Sequence, residues 1–386
     1  MGSTRHPSPR RWHAALVALF AVAVAVVAAG CGSEDNDSTA SAGGSGSGSA
    51  SSGVAEAKAF MEESMTPPSE LGLPPTEKPI PSGKTVTYVH CGVDVCSTIA
   101  KAIKNSADIL GWNTKIIASD GSPASIKAGW GQVVRLKPDA AFGSGAPSAA
   151  YKAEVGQLEA AGIPVILLAT TDTEGNGITF SEMQLDEVPL VGKQMASWVV
   201  STTKGDANTL YVDLPTFPIL PPVKEGFEAA YEEWCPDCPY ESIDLPITAI
   251  GKDAPSRIVA HLRANPDVNT VALGYDGLGF GLPAALKAAG LDDKVQVIGE
   301  APTETNFAYV RNGEQGATVS QAYFEIWANL VDVAARTLTD QPIDANTEWD
   351  VPWFLVTPDN IEQVGTGHEP VYPDLNEQLK TLWDKS

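Results

Sequence analysis

Short apolar runs alternate with amphipathic segments along most of the chain, and residues 269–321 show the pattern best. Runs rich in β-branched residues at Thr270–Leu273, 295–298 and 317–319 each end in glycine or a polar turn, which predicts three short strands. Between the first two, Leu282–Ala289 is apolar at helical spacing and is followed by a glycine, which predicts a helix. Because two short buried strands joined by one helix form a right-handed βαβ unit, we expect a parallel sheet covered by helices.

The same alternation fills the chain from Lys84 up to this stretch. It predicts strands at 85–89, 115–118, 140–142 and 163–168, with helices at 96–110, 124–136 and 149–161. The series then restarts, with strands at 209–214 and 243–247 and helices at 187–202, 223–234 and 256–265. Repetition at this spacing predicts the α/β class, with two successive doubly wound parallel sheets.

Polar and aromatic side chains follow the strands predicted in 269–321. Ligands of open parallel sheets bind beyond the carboxyl ends of the strands. In this stretch those positions hold Tyr275, Asp276, Glu300 and Gln321, which are therefore candidate binding residues. Each also has a structural interpretation: Asp276 could cap the following helix, and Glu300 could simply be solvated.

The N-terminus has the pattern of a targeting segment. Arg5, Arg10 and Arg11 precede an unbroken apolar run at 14–29, which is too short for a full membrane span and fits the apolar region of a signal peptide. The small residues that follow lead to Cys31, as in a lipobox, where the cysteine becomes the lipidated first residue. We therefore expect a signal peptide at 1–30 and an exported protein, the alternative being an uncleaved anchor with an incidental cysteine.

The next segment has few core-forming residues. Residues 32–53 are mainly glycine, serine and alanine, which predicts a flexible tether. Residues 54–65 could form a short helix, and 67–81 contain six prolines, too many for regular structure. We expect this arm to pack along the folded domain.

Composition and charge narrow the classes of partner. The chain has 386 residues, of which 43% are hydrophobic and 19% charged, which suits a sizeable core. Its formal net charge of −23 opposes binding to nucleic acid and to anionic lipid headgroups. No nucleic-acid partner is expected.

Four cysteines remain after Cys31, an even number in an exported protein. We predict two local disulfides, Cys91 with Cys96 and Cys235 with Cys238. The alternative is a thiol-disulfide enzyme that uses Cys235-Pro236-Asp237-Cys238, but this pair follows a predicted helix C-terminus, whereas reactive thiols favour an N-terminus. A four-cysteine metal site is not expected, because the two pairs lie in separate loops.

Catalytic motifs are scarce. The sequence contains no GxSxG, HExxH or Walker motif, and its glycine-rich stretch at 277–281 lacks the spacing of a dinucleotide fingerprint. His90 follows the first strand directly, so it is a cleft candidate or else satisfies a local backbone group. A single imidazole with no placed nucleophile does not define an enzyme, so we expect none, with no cofactor and no metal.

Several motifs in a fixed order resemble one family. In the first series they are ADILGW at 107–112 and AAGIPVILL at 160–168. In the second they are AALKAAGL at 284–291, VQVIGE at 295–300 and VRNGEQGATVSQ at 310–321. Together they resemble the ribose-type, or type I, periplasmic substrate-binding proteins.

The resemblance covers about 84–361 and implies two doubly wound lobes joined by a three-strand hinge. It places the first lobe at 84–182 plus 322–346. The second lobe is 183–321 plus 347–386, with the C-terminal tail counted in it. Residues 31–83 then hold the lipidated cysteine, the linker and the proline-rich arm.

The ligand set departs from the sugar binders of that family. Their charged Asp-Arg pair and a further arginine are replaced here by Ala169-Thr170 and Pro221, while Gln321 keeps the expected type. The charged contacts that hold sugar hydroxyls in the family are therefore lost, and no Lys or Arg lies at a predicted strand end. A neutral sugar, polyol or sugar-like ligand suits such a site better than an anionic ligand. An amine held by acidic and aromatic side chains is the other option. The candidate contacts are His90, Asp94, Thr170, Thr171, Phe217, Tyr275, Asp276, Glu300, Gln321 and Tyr323.

The function that the resemblance implies is that of a monomeric solute-binding lipoprotein. It would be anchored by lipid to the outer face of the cell membrane, close two lobes on a small ligand, and deliver that ligand to an ABC permease. The alternative within the same class is a receptor that reports its ligand to a membrane signalling protein.

Overall fold

The computed structural model of the chain describes residues 47–182, 187–364 and 369–385. The signal peptide, Cys31 and most of the glycine-rich linker therefore lie outside the described residues. Within them no helix is long and apolar enough to cross a membrane.

Helices and strands alternate as the sequence predicted. The strands are β1 (Thr85–Val89), β2 (Asn113–Ile117), β3 (Ala140–Ser144), β4 (Val165–Leu168), β5 (Phe180–Glu182), β6 (Thr209–Asp213), β7 (Tyr240–Asp244), β8 (Thr270–Leu273), β9 (Gln296–Glu300), β10 (Ala317–Gln321) and β11 (Trp353–Val356). The helices are α1 (Ser47–Ser64), α2 (Val95–Ile109), α3 (Pro123–Leu136), α4 (Lys152–Ala160), α5 (Pro189–Thr202), α6 (Leu220–Trp234), α7 (Ala254–Ala264), α8 (Leu282–Ala289), α9 (Glu304–Arg311), α10 (Tyr323–Thr337), α11 (Asp344–Thr347), α12 (Ile361–Val364) and α13 (Leu375–Leu382).

The strands form two sheets. The first has the order β2-β1-β3-β4-β5 and is parallel throughout. The second has the order β11-β10-β9-β8-β6-β7, and β11 is its only antiparallel strand among the described residues. This confirms the predicted fold class of two α/β lobes, each built on a parallel sheet.

Strand β7 is the clearest difference in boundaries. It covers Tyr240–Asp244, three residues before the predicted 243–247. Its side chains are exposed or half-buried because it lies at the edge of the second sheet. An edge strand needs no continuous apolar run, so hydrophobic pattern places it poorly.

The chain passes between the lobes more than once. The first passage falls between β5 of the first sheet and α5, which packs against the second sheet. After β10 in the second sheet, α10 packs against α2 of the first lobe. The chain then returns through α11 to β11 of the second sheet.

The segment before β1 packs along both lobes. Helix α1 lies against α5 and α6 of the second lobe. The proline-rich arm then contacts Trp112 of the first lobe, whose Nε1–H donates to the Pro81 carbonyl at 2.7 Å. It also contacts Trp349, between α11 and β11, whose Nε1–H donates to the Leu71 carbonyl at 2.8 Å. The arm thus packs on the folded domain, as expected.

The C-terminal tail differs from its predicted assignment to the second lobe. Helix α13 packs against α2 of the first lobe. Next to it, the Trp383 Nε1–H donates to Asp332 Oδ1 of α10 at 2.7 Å, and both side chains are buried. Leu375, Leu379 and Leu382 form the buried face of α13, so an amphipathic helix beyond the family's resemblance adds to the first lobe.

Both predicted cysteine pairs lie at disulfide distance. The Cα atoms of Cys91 and Cys96 are 5.8 Å apart, and those of Cys235 and Cys238 are 5.3 Å apart. Across the described residues, no group of three or more His, Cys, Asp or Glu is arranged to hold a metal ion.

Candidate ligand-binding site between the lobes

A small cavity lies between the two lobes, at the carboxyl ends of strands from both sheets. Its volume is about 80 Å³, which corresponds to roughly three water molecules at about 30 Å³ each. Among the described residues that line it there is no lysine and no arginine. The lining residues are Cys91, Val93, Val95, Ile99, Ser144, Gly145, Leu168, Ala169, Val188, Phe217, Ile219, Leu220, Val223, Tyr275, Glu300, Ala301, Gln321, Tyr323 and Trp353.

The lobes touch across this cavity. A Cβ atom on Gly145 of the first lobe would lie 3.5 Å from the Phe217 ring of the second. Burial, followed by the charge of Asp94 at the start of α2, raises the pKa of the Tyr275 hydroxyl of the second lobe. The two lobes are therefore close together at this cavity, and a ligand larger than the cavity would enter when the lobes part.

The first lobe contributes a largely apolar wall. Val93, Val95 and Ile99 come from the loop after β1 and the start of α2, and Leu168 ends β4. The one hydroxyl on this wall, that of Ser144, is 2.8 Å from the Tyr88 hydroxyl, with which it shares a hydrogen bond. The side chains of this lobe therefore offer a ligand mostly van der Waals contact.

A second apolar surface comes from the segment after β6. Phe217, Ile219, Leu220 and Val223 line the cavity from the loop and the first turn of α6. The last three are buried, and Phe217 is half-buried. Val188, next to the start of α5, extends this surface.

The polar side chains of the site are grouped at the ends of three neighbouring strands. Tyr275 follows β8, Glu300 ends β9, Gln321 ends β10 and Tyr323 begins α10. Since β8, β9 and β10 are adjacent in the second sheet, these residues share one edge of it. They form what we call the polar edge of the cavity.

Glu300 is the unusual member of the polar edge. It is 3% exposed, and its Oε1 has no hydrogen-bond partner among the described residues. Burial, followed by the charge of Asp276, raises the pKa of the Glu300 carboxyl well above its ordinary value. The Tyr275 hydroxyl is also buried, and a backbone hydrogen bond with Val95 of the first lobe offsets part of the rise that burial causes in its pKa. Unpaired buried polar groups are costly, so a ligand that pairs them would gain binding energy.

Asp276 is not part of the cavity wall, although the sequence made it a candidate contact. Its side chain is fully buried and accepts hydrogen bonds from Gln315 Nε2 at 2.7 Å and Thr318 Oγ1 at 2.6 Å. Burial, partly offset by these bonds, raises the pKa of the Asp276 carboxyl to about 7. A Cβ on Gly299 would lie 1.9 Å from Asp276 Oδ1, so only glycine fits there. Asp276 therefore connects the end of β8 to β10 and does not line the cavity.

Four other candidates also lie outside the cavity lining. His90 accepts the Gly92 N–H at its Nδ1, at 3.0 Å, which is the local backbone role left open by the sequence. Asp94 and Thr171 are exposed. Thr170 is fully buried, and its hydroxyl accepts the Asp172 N–H at 3.2 Å.

A turn after β4 explains the position of Thr170. Ala169 has φ 54°, in the left-handed region, and it lines the cavity itself. The backbone reverses there, so the next residue does not continue along the cavity wall. Ala301, after β9, has φ 53° and lines the cavity in the same way. Such conformations are uncommon outside glycine and cluster at functional sites.

Of the ten candidates, the structure brings five together at the cavity: Phe217, Tyr275, Glu300, Gln321 and Tyr323. The sequence missed most of the apolar wall. The rule that ligands bind at the carboxyl ends of parallel strands could have identified Ser144 and Ala169, because both lie at strand ends as Glu300 does. It could not separate Ile99 or Val223 from core residues, because both lie on the buried faces of helices.

Two α/β lobes that close on a cavity at their facing strand ends define a two-lobed solute receptor. Residues 86–342 match the family described as periplasmic binding protein domain. The chain belongs to this family, as the sequence motifs predicted. No curated protein sequence matches the chain.

Solved structures of low sequence identity share the fold. One is a solute binding protein of a 5-methylthioribose transporter from Thermotoga lettingae TMO in complex with 5-methylthioribose, with 17% identity, TM-score 0.65, and coverage of 81% of this chain and 100% of that chain. Another, from Actinobacillus succinogenes 130z with bound D-allose, has 18% identity, TM-score 0.64, and coverage of 73% and 99%. A periplasmic ribose ABC transporter protein from Conexibacter woesei DSM 14684 has 20% identity, TM-score 0.59, and coverage of 75% and 96%.

Proposed function

We propose that this protein captures a small sugar, polyol or sugar-like compound between its two lobes outside the cytoplasm and delivers it to an ABC transporter. The observation that carries the proposal is the cavity between the lobes at the facing strand ends, where the buried Glu300 has a carboxyl oxygen without a hydrogen-bond partner among the described residues. The absence of lysine and arginine from its described lining favours an uncharged ligand over an anionic one. The similar structures, which hold 5-methylthioribose and D-allose, support the same ligand class.

Binding would follow from closure of the lobes. With the lobes apart, the polar edge and the apolar walls are open to water. Closure around a solute removes both from water, and the hydrogen bonds to the polar edge then form in a dry site, where they are stronger. The closed form is the one that a transporter could distinguish from the open form.

The geometry does not favour the thiol-disulfide enzyme. Cys235 directly follows the C-terminus of α6, whose negative dipole end opposes a thiolate. The pair lies away from the cavity lining, so it has no evident substrate site. We assign it a structural role and propose that the chain is not an enzyme.

Replacing Gln321 tests the proposed site. Gln321 ends β10 at the polar edge and is 7% exposed. Gln321→Ala should weaken binding of the solute about tenfold or more while leaving the melting temperature nearly unchanged, since one hydrogen-bonding side chain is removed. The measurement is isothermal titration with the ligands found by a thermal-shift screen of sugars, polyols and sugar-like compounds.

The matched control is Gln132→Ala, at an exposed position of α3. It should bind as tightly as the wild type. Equal affinity of Gln321→Ala and the wild type would contradict the placement of the site, and a screen with no binder of these classes would contradict the function.

We also propose that Cys31 carries the lipid that holds the protein at the outer face of the membrane, with the chain acting as a monomer. Cys31→Ser, expressed in the native host, should move the protein from the membrane fraction to the soluble fraction, since several acyl chains supply the attachment. Incorporation of labelled palmitate should be lost at the same time. A variant that stays in the membrane fraction would instead support an uncleaved anchor.

A further inference from the structure

The cavity differs from one built only for hydroxyl groups, because its polar side chains lie on one side. The polar edge comes from the second sheet and the hinge, through Tyr275, Glu300, Gln321 and Tyr323. The first lobe supplies Val93, Val95, Ile99 and Leu168, and its single hydroxyl, on Ser144, is already bonded to Tyr88.

A fully hydroxylated ring would fit this arrangement poorly. Every hydroxyl that turns toward the apolar walls would lose its water and find no side-chain partner, at a cost for each unpaired group. An apolar group in the same place gains from leaving water and costs nothing in lost hydrogen bonds. The same walls contain no charged side chain among the described residues, so they cannot compensate an ionised group.

The start of α6 adds further apolar side chains to the cavity lining. Ile219, Leu220 and Val223 lie together in one helical turn, each 8% exposed or less. Phe217 adds a ring that contacts the first lobe at Gly145. This turn and the side chains of the first-lobe wall form the apolar part of the cavity lining.

From this division we infer that the ligand is amphipathic: a small uncharged sugar-like compound in which an apolar group replaces at least one hydroxyl, with its remaining hydroxyls on the polar edge. The inference rests on the proposed function and specifies its ligand class. Glu300 and Tyr275 then pair with the hydroxyls, and the α6 turn packs against the apolar group.

Matched pairs of sugars that differ by one terminal hydroxyl test this directly. L-mannose with L-rhamnose, L-galactose with L-fucose, and D-galactose with D-fucose are such pairs, the second member of each ending in a methyl group. We expect the deoxy member of at least one pair to bind the full-length protein about tenfold or more tighter than its parent, by isothermal titration in detergent.

Variants of the apolar wall test whether that wall causes the preference for the deoxy sugar. Val223→Thr keeps the side-chain volume but adds a hydroxyl to the α6 turn, so it should reduce the preference for the deoxy sugar about fivefold or more. Val259→Thr, a buried position in α7 outside the cavity, makes the same change and should keep the wild-type preference. If Val223→Thr fails to fold, the comparison of sugar pairs on the wild type still decides.

Each result has a defined meaning. A deoxy preference that Val223→Thr lowers and Val259→Thr keeps supports the inference. Equal or tighter binding of the fully hydroxylated sugars, or a deoxy preference unchanged by Val223→Thr, overturns it and leaves the proposed function intact. Failure of every sugar, polyol and deoxy sugar to bind overturns both.

Discussion

The buried carboxyl groups of Asp276, Glu300 and Glu325 differ in how the fold pairs them. Asp276 accepts two side-chain hydrogen bonds, and Glu325 accepts the N–H groups of Val371 and Tyr372 at 2.8 and 2.7 Å. For Glu300 no hydrogen bond within the described chain is found at Oε1. Glu325 Oε2 likewise has no partner in the described chain, but Glu325 does not line the cavity, so Glu300 Oε1 is the unpaired carboxyl oxygen that a ligand in the cavity could pair.

Glu325 gives a prediction about pH at the residue scale. Burial, partly offset by the backbone hydrogen bonds, raises the pKa of its carboxyl to about 7, above the value of about 4.3 in an unfolded chain. Between these values the folded protein holds a proton that the unfolded chain has lost. The contribution of Glu325 to stability is therefore present at low pH and is lost as the pH rises through about 7.

Glu325→Gln removes that titration while keeping the acceptor at Oε1. The free energy of unfolding of the variant, relative to wild type, should rise by roughly 2–4 kcal/mol between about pH 5 and pH 8. Urea unfolding at several pH values measures it. Glu348→Gln, at an exposed position, is the control and should follow the wild type. A Glu325→Gln curve parallel to the wild-type curve would contradict the prediction.

At the scale of elements, the contact between α5 and α6 sets the position of the α6 turn at the cavity. The two helices meet at glycines: a Cβ on Gly192 would lie 1.9 Å from the Val223 carbonyl oxygen, and one on Gly226 would lie 2.1 Å from the Pro189 carbonyl oxygen. Helix backbones approach this closely only where no side chain intervenes. The glycines thus bring α6 close enough to α5 for Val223 to line the cavity.

Gly226→Ala tests this contact. The added methyl group has no space, so the helices must separate, and the free energy of unfolding should fall by roughly 2–3 kcal/mol. Gly156→Ala in α4 is the matched control: its Cβ would meet nothing within 4 Å, and it should stabilise by about 0.5–1 kcal/mol. Chemical denaturation of both variants gives the comparison, and equal effects would show that the helix contact is not tight.

At the scale of the whole molecule, the segment before β1 links the two lobes behind the hinge. Helix α1 packs on α5 and α6, and the Met65 carbonyl accepts the Asn360 Nδ2–H of the second lobe at 2.8 Å. The arm continues onto the first lobe, where Gln341 Oε1 accepts the N–H groups of Glu77 and Lys78 at 2.6 and 2.9 Å. If the lobes part, the contacts of this segment with one lobe or the other must therefore change.

Gln341→Met should detach part of the arm. The backbone N–H groups of Glu77 and Lys78 lose their acceptor, which should lower the free energy of unfolding by about 2–4 kcal/mol. Limited proteolysis should cleave the arm within 66–83 faster than in the wild type. Gln132→Met, the same change at an exposed site, is the control. An arm as resistant as in the wild type would show that other contacts, such as Trp349 with Leu71, hold it alone.

The sequence by itself determined the family and most of the strands and helices. Apolar runs of strand length and helical spacing are local properties, so β8, α8 and β10 could be predicted from pattern alone. It also placed Tyr275, Glu300 and Gln321, because the carboxyl end of a parallel strand is a position that can be counted along the chain.

Only the tertiary structure decided which candidates meet and what they meet. Asp276 and Thr170 occupy positions like those of Glu300, yet hydrogen bonds from Gln315 and Asp172 turn them to structural roles. Ile99 and Val223 come from different lobes and line one cavity, although the sequence pattern predicts that each is a core residue. Such contacts depend on how the two lobes close and on the distance between α5 and α6. No local pattern in the sequence encodes either of them.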